Sequence, residues 1–240
     1  NYLPDISSPQ GAYLYENVQG FVNTIQWRSN PLINSYAEMF DNIENWTNSP
    51  FFGTKGTYFA DVNGDQKADA ISVNSNAKIV VRNNSGNAFL ASQEWTDIPF
   101  FGDIGTYFAD VTGDGKADAI SVNRNLKVTV RRSNGSRFTA NEEWTNIPYF
   151  GDKGNFYVDV TGDGKADAIV VRSNGPIVVR RSSGNGFTAN EEWTSNPFFG
   201  DKGTFFADVT GDGLADAIAV NQNLKVTVRR NTGSGFASNE

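Results

Sequence analysis

Between residues 105 and 145 the chain is a series of short apolar runs separated by turn residues. GTYFADV (105–111) alternates and leads into an acidic stretch, and DAISVN (118–123) leaves it. In LKVTVRR (126–132), Leu126, Val128 and Val130 alternate with Lys127, Thr129 and Arg131. That is the period of two of a strand with one buried face. SNGS (133–136) is a turn, and RFTANEEWT (137–145) reads as a fourth, outer strand. Four antiparallel strands in about 40–50 residues match one blade of a β-propeller. A β-solenoid, whose repeats are usually shorter, is the other architecture this pattern admits.

The whole unit recurs. Trp46, Trp95, Trp144 and Trp193 are spaced by 49 residues, and Asp61, Asp110, Asp159 and Asp208 follow the same step. The expected fold is therefore all-β, a propeller of four-stranded antiparallel blades built from four 49-residue repeats over residues 40–240. Residues 1–39 contain no acidic loop and stand apart as a strap, a degenerate blade or the remnant of a neighbouring domain, with one short helix over 32–40. Phe40 precedes Trp46 by six residues, as Phe89 precedes Trp95, and the last repeat reaches Glu240 with its outer strand only begun. Residues 40–47 are accordingly expected to complete the last blade and close a ring of four. The alternative is a fifth, degenerate blade from residues 1–39, where GAYLYENV resembles GTYFADV.

Residues 110–118, DVTGDGKAD, return as DVTGDGKAD at 159, DVTGDGLAD at 208 and DVNGDQKAD at 61. A hard cation such as Ca²⁺ takes six to eight oxygen ligands, and a tight loop can offer them from alternate residues. Counting the first aspartate as position 1, side-chain oxygens come from positions 1, 3, 5 and 9 and a peptide carbonyl from position 7. The candidate ligands are Asp61, Asn63, Asp65, Lys67 and Asp69; Asp110, Thr112, Asp114, Lys116 and Asp118; Asp159, Thr161, Asp163, Lys165 and Asp167; and Asp208, Thr210, Asp212, Leu214 and Asp216. The residues at position 7 contribute only their carbonyls. Glycine at position 6 permits the sharp turn, and Gln66 in its place is expected to weaken or distort the first site. Three carboxylates within nine residues repel unless neutralised. Four Ca²⁺, one per repeat, would more than offset the formal charge of −7.

The DVTGDGKADAI string after an aromatic strand, with an FFGD-type turn before it, resembles the calcium-binding FG-GAP/VCBS repeats of β-propellers. Such repeats occur in integrin α-subunit heads, in fungal and bacterial propeller lectins, and as modules of secreted enzymes and toxins. The resemblance covers residues 40–240 and implies Ca²⁺ in a hairpin loop between blade strands. Thr or Asn at position 3 departs from the Asp usual in integrin loops and lowers the charge.

The chain has no Cys and no His, which removes disulfides, thiolate chemistry and every Ser-His-Asp or Cys-His triad. Glu142, Glu143, Glu191 and Glu192 recur with the repeat, whereas an active site is usually single and asymmetric. A non-catalytic protein is expected. Its acidity argues against nucleic acid as a partner, and no apolar run is long enough to span a membrane as a helix. The first residue is Asn rather than Met, which suggests a processed or trimmed product, and the resemblance implies a secreted one. Trp46, Trp95, Trp144 and Trp193 are candidates for stacking on sugar rings, and equally for packing blade against blade. Of the doublets Arg131–Arg132, Arg180–Arg181 and Arg229–Arg230, one member covers the outer surface while the other pairs with Glu or lines an inter-blade cleft. The first functional expectation is a Ca²⁺-stabilised propeller binding glycans or glycoproteins multivalently, with homo-oligomers left open. The alternative is an accessory or protein-docking propeller module of a larger secreted enzyme or toxin.

Overall fold

The computed structural model describes residues 44–238, so the 1–39 segment, the short helix expected over 32–40 and residues 40–43 lie outside the described residues. Within them every element is a strand. Blade 1 is β1 (Gly56–Ala60), β2 (Asp69–Val73), β3 (Ile79–Arg82) and β4 (Gln93–Glu94). Blade 2 is β5 (Gly105–Ala109), β6 (Asp118–Val122), β7 (Val128–Arg131) and β8 (Glu142–Glu143). Blade 3 is β9 (Gly154–Val158), β10 (Asp167–Val171), β11 (Val178–Arg180) and β12 (Glu191–Glu192). Blade 4 shows three strands, β13 (Gly203–Ala207), β14 (Asp216–Val220) and β15 (Val226–Arg229). Each sheet is antiparallel and ordered as in sequence, the meander of a propeller blade, and the solenoid is excluded.

The second strands are apolar on both sides because neighbouring blades cover both faces. Ile120 and Val122 sit in one core with Val111, Val128, Val130 and, from blade 3, Ala166 and Ala168. Ile71, Val73 and Ile79 meet Ala117 and Ala119 in the same way, and Ile169, Val171 and Ile177 meet Ala215 and Ala217. Large side chains on the trailing face of one blade thus pack on alanines at the leading face of the next. Aromatic pairs continue the seam, with Tyr58 on Phe108, Tyr107 on Tyr157 and Phe156 on Phe206 at 5.0–5.1 Å between ring centroids.

Hydrogen bonds stitch the same seam. Ala117 N–H donates to the Asp61 carbonyl and Ala166 N–H to that of Asp110, both at 2.7 Å. Ser133 Oγ donates to the Val62 carbonyl, Ser182 Oγ to that of Val111, and Asn231 Nδ2 to that of Val160.

Three local features differ from the sequence expectation. Leu126 is a turn residue with φ of 60°, not the first residue of a strand, because its N–H closes a turn onto the Asn123 carbonyl. The outer strands are only two residues long. Phe138 N–H goes instead to the Trp95 carbonyl of blade 1, and Thr139 N–H to Arg132, so the segment cannot run as one continuous strand. Finally, residues 44–47 carry no strand and pair with no strand of blade 4. The Trp46 carbonyl accepts the Phe89 N–H of blade 1 at 2.8 Å, the same bond that Trp95 of blade 1 makes to Phe138 of the blade after it.

Candidate functional site

In each acidic loop the first aspartate gathers the backbone. Asp110 Oδ1 accepts the N–H of Gly113 (2.6 Å) and Asp114 (3.2 Å), and its Oδ2 that of Gly115 (2.8 Å). Asp61, Asp159 and Asp208 repeat the arrangement. The turn needs positive φ at positions 4 and 6, supplied by Gly113 (79°) and Gly115 (81°). Gln66 takes φ of 66° and still donates its N–H to Asp61 Oδ2 at 2.6 Å. The first loop therefore keeps its shape, at the cost of left-handed backbone on a residue with a Cβ.

The ninth position is different. Asp69, Asp118, Asp167 and Asp216 are fully buried. Asp118 Oδ2 accepts the N–H groups of Val111 and Thr112 at 3.2 Å, and Oδ1 that of Ser133 at 2.9 Å. Asp118 thereby ties the two ends of its loop to the third strand's turn. Burial pushes its carboxyl up to about 6, with Asp110 and Asp114 adding to the effect and the Ser133 N–H opposing it; Asp167 is likewise pushed up to about 6. Burial is the main cause of that rise, while three carboxylates in one loop call for positive charge beside them.

A lysine at position 7 supplies part of that charge. Lys67, Lys116 and Lys165 reach Asp65, Asp114 and Asp163 at 3.0, 2.9 and 2.8 Å. Leu214 gives Asp212 no such partner. The lysine stem also lies over the preceding loop, since a Cβ on Gly64 or Gly113 would meet Lys116 or Lys165. As placed, the carboxylates do not converge: among the described residues no three acidic groups stand together as a metal cage. The donor types nonetheless fit a hard cation, with carboxylates at 1, 5 and 9, a hydroxyl or amide at 3 and a carbonyl at 7. The carboxylates at 1 and 9 keep lone pairs beyond those used by the N–H groups.

Of the two roles the sequence leaves open to the tryptophans, packing is the one on display. Trp95, Trp144 and Trp193 are 0%, 4% and 2% exposed, and each rests on the next blade's Phe138, Phe187 or Phe236. Their faces are unavailable to a sugar ring. Trp46 is half-buried against Phe89. Each buried tryptophan is also half of a clamp that sequence reasoning missed. Trp144 N–H donates to the Val128 carbonyl at 2.9 Å, and Thr145 Oγ1 accepts the Val128 N–H at 2.8 Å. Trp95–Thr96 hold Ile79, and Trp193–Thr194 hold Ile177, in the same way. The invariant WT dipeptide was the available signal.

A family profile described as an FG-GAP-like repeat matches residues 61–121 and 159–219, which together make up half of the chain. The chain belongs to the FG-GAP-like repeat family. Among solved structures, the FG-GAP-like chain is similar to the Photorhabdus luminescens Tc holotoxin pore, with a TM-score of 0.55 and 21% identity over 71% of this chain and 8% of that one. It also matches TcdB2-TccC3 without its hypervariable C-terminal region (TM-score 0.43, 21% identity, 69% and 8% covered). A third match is BBS1N in complex with ARL6DN (TM-score 0.40, 11% identity, 78% and 55% covered). The FG-GAP-like chain thus spans only 8% of the length of the toxin chains it matches. No curated protein matches it. Among the described residues no helix is long and apolar enough to cross a membrane.

Proposed function

We propose that this chain is a non-catalytic, protein-docking propeller module of a larger extracellular assembly, with Ca²⁺ in its acidic loops. One observation carries the docking reading. Val226 and Val209 in blade 4 are 63% and 55% exposed, whereas their equivalents Ile79, Val128, Ile177, Val62, Val111 and Val160 are fully buried by the next blade. Among the described residues a blade flank built to be covered stands open, and apolar side chains grouped on one face mark an interaction surface. The glycan reading has lost its stacking platform, since three of the four tryptophans are core residues. Ca²⁺ would be held by the aspartates at positions 1, 5 and 9 of each loop, with the residue at 3 and the carbonyl at 7. Its charge would serve the place that Lys67, Lys116 and Lys165 now fill in part.

The chain has no cysteine, so a single thiol introduced by Val226→Cys can be read without background. At low protein concentration it should react with a thiol reagent far faster than one introduced by Ile177→Cys, its buried equivalent. Equal, slow reaction at both positions would overturn the docking reading. A broad glycan array should stay blank; hits that survive Val226→Asp would restore the lectin reading.

A further inference from the structure

The two ends of the blade series carry the two halves of one interface. At the tail, blade 4 presents Phe205, Val209 and Val226, the face that blades 1 to 3 press against a neighbour. Gly211 has open space where a Cβ would point, while Gly64, Gly113 and Gly162 are lidded by Lys116, Lys165 and Leu214 of the next blade. Among the described residues no Trp–Thr clamp closes on Val226.

At the head, blade 1 presents the matching parts, and none of the described residues receives them. Phe52 is exposed, while its equivalents Phe101 and Phe199 lie under Lys55 and Lys153 of the blade before. Lys202 stands at that lysine position in blade 4. Ala68 is half-buried where Ala117, Ala166 and Ala215 are buried by the preceding blade. Asn84 Nδ2 reaches the Ala68 carbonyl, as Asn231 Nδ2 reaches that of Ala215, but Asn231 also holds the preceding Val160 carbonyl. Trp46 and Thr47 are the clamp dipeptide, and Trp46 already spends its carbonyl on Phe89 as the other tryptophans do on the next blade. Its strand-facing half is what remains.

We propose that the tail of blade 4 docks the head of blade 1 from a second copy of this chain. Trp46 and Thr47 of that copy then clamp Val226, and Phe52 and Ala68 of that copy cover the lysine and valine positions. The three interfaces inside the chain are the template, and the contact is their continuation across two molecules. Among the described residues the two halves of one chain do not meet: no hydrogen bond joins Trp46 or Thr47 to Val226, and Val226 is open. Such a head-to-tail contact is heterologous, and it closes a ring if the rotation permits. The inference rests on the docking reading above and names its partner.

Sedimentation equilibrium tests it on the full chain with Ca²⁺ present. The mass should rise from one copy at low concentration to two or more at high concentration. Val226→Asp at the tail and Ala68→Arg at the head should each reduce it to one copy. An equal mixture of the two variants should recover a two-copy species, because one intact tail still meets one intact head. Should Val226→Asp fail to fold by circular dichroism, Val209→Asp serves in its place. A chain that stays monomeric at every concentration overturns the proposal. If the Val226→Cys thiol is then still reactive, the docking reading stands and only the choice of partner falls; if it is protected, the chain covers its own tail and both fall. Variants that associate as the wild type does, or a mixture that stays monomeric, overturn the proposal as well.

Discussion

Arg131 and Arg132 are adjacent arginines with opposite surroundings, and truncating each to alanine separates the two. Arg131 is buried, with its guanidinium 4.7 Å from the Phe100 ring. Its Nε donates to Asn141 Oδ1 at 2.6 Å and its Nη atoms to the Ile98 and Pro99 carbonyls at 3.3 and 3.4 Å. Arg131→Ala removes one short hydrogen bond from a charged donor, worth about 1.5–3 kcal/mol, and two long ones worth less. It also removes a desolvated cation–π contact of about 1–2 kcal/mol. Relief of the desolvated charge returns only part of that sum. The net loss is about 3 kcal/mol, or roughly 6–12 °C in melting temperature for a chain of this size. Arg132 instead pairs with Glu142 at 2.9 Å on the partly exposed side of the blade. Arg132→Ala should cost about 0–1 kcal/mol, as exposed pairs do. Urea titration of both variants, with unchanged slopes, reads the difference directly. Equal losses, or a larger loss at Arg132, would refute the assignment of faces and the role of Arg131 in holding its blade's entry turn.

Four further outcomes are expected. Chelation with EDTA should lower the melting temperature and added Ca²⁺ restore it, while Asp163→Ala should remove one ion by calorimetry and leave the other loops filled. In EDTA, stability should fall as pH rises from about 4 to about 6, because burial raises Asp118 and Asp167 from 3.8 to about 6 and the folded state binds the extra protons in that window. Denaturation followed by circular dichroism at fixed temperature tests the sign. Trp144→Ala should cost about 3–5 kcal/mol of stability by leaving a cavity between blades 2 and 3, seen as a lower denaturation midpoint. Gln66→Gly should stabilise the first loop by about 0.5–1 kcal/mol, since the left-handed turn suits glycine, and a melting temperature below wild type would count against it.

The blades were legible because each strand's alternation and each turn's glycines state the same answer four times. Strand ends were less so. Leu126 continues the apolar alternation in sequence, yet Asn123 and Asn125 close a turn around it, a competition decided by side-chain and backbone hydrogen bonds rather than by hydrophobicity. The acidic loops announced their residue types but not their division of labour. A string of three aspartates does not reveal that Asp118 is a buried post holding three N–H groups while Asp114 leans on Lys116 at the surface. The tryptophans were ambiguous for a simpler reason: a large aromatic once per repeat suits either a binding cleft or a seam, and only burial decides. The flanks were the least legible, because an uncovered valine has the same sequence context as its covered equivalents.

The stitches between blades reach from one repeat only to the next. Ser133 to Val62, Ser182 to Val111 and Asn231 to Val160 all span 71 residues, one 49-residue step plus a constant offset. Every seam therefore has the same address relative to its own repeat. Excising a whole blade by its 49 codons would bring each surviving donor back opposite an equivalent carbonyl, whereas removing one residue more or fewer would misplace the contacts that span the junction. The number of blades is thus decoupled from the chemistry of any one of them, and unequal recombination can lengthen or shorten such an array without inventing a new interface.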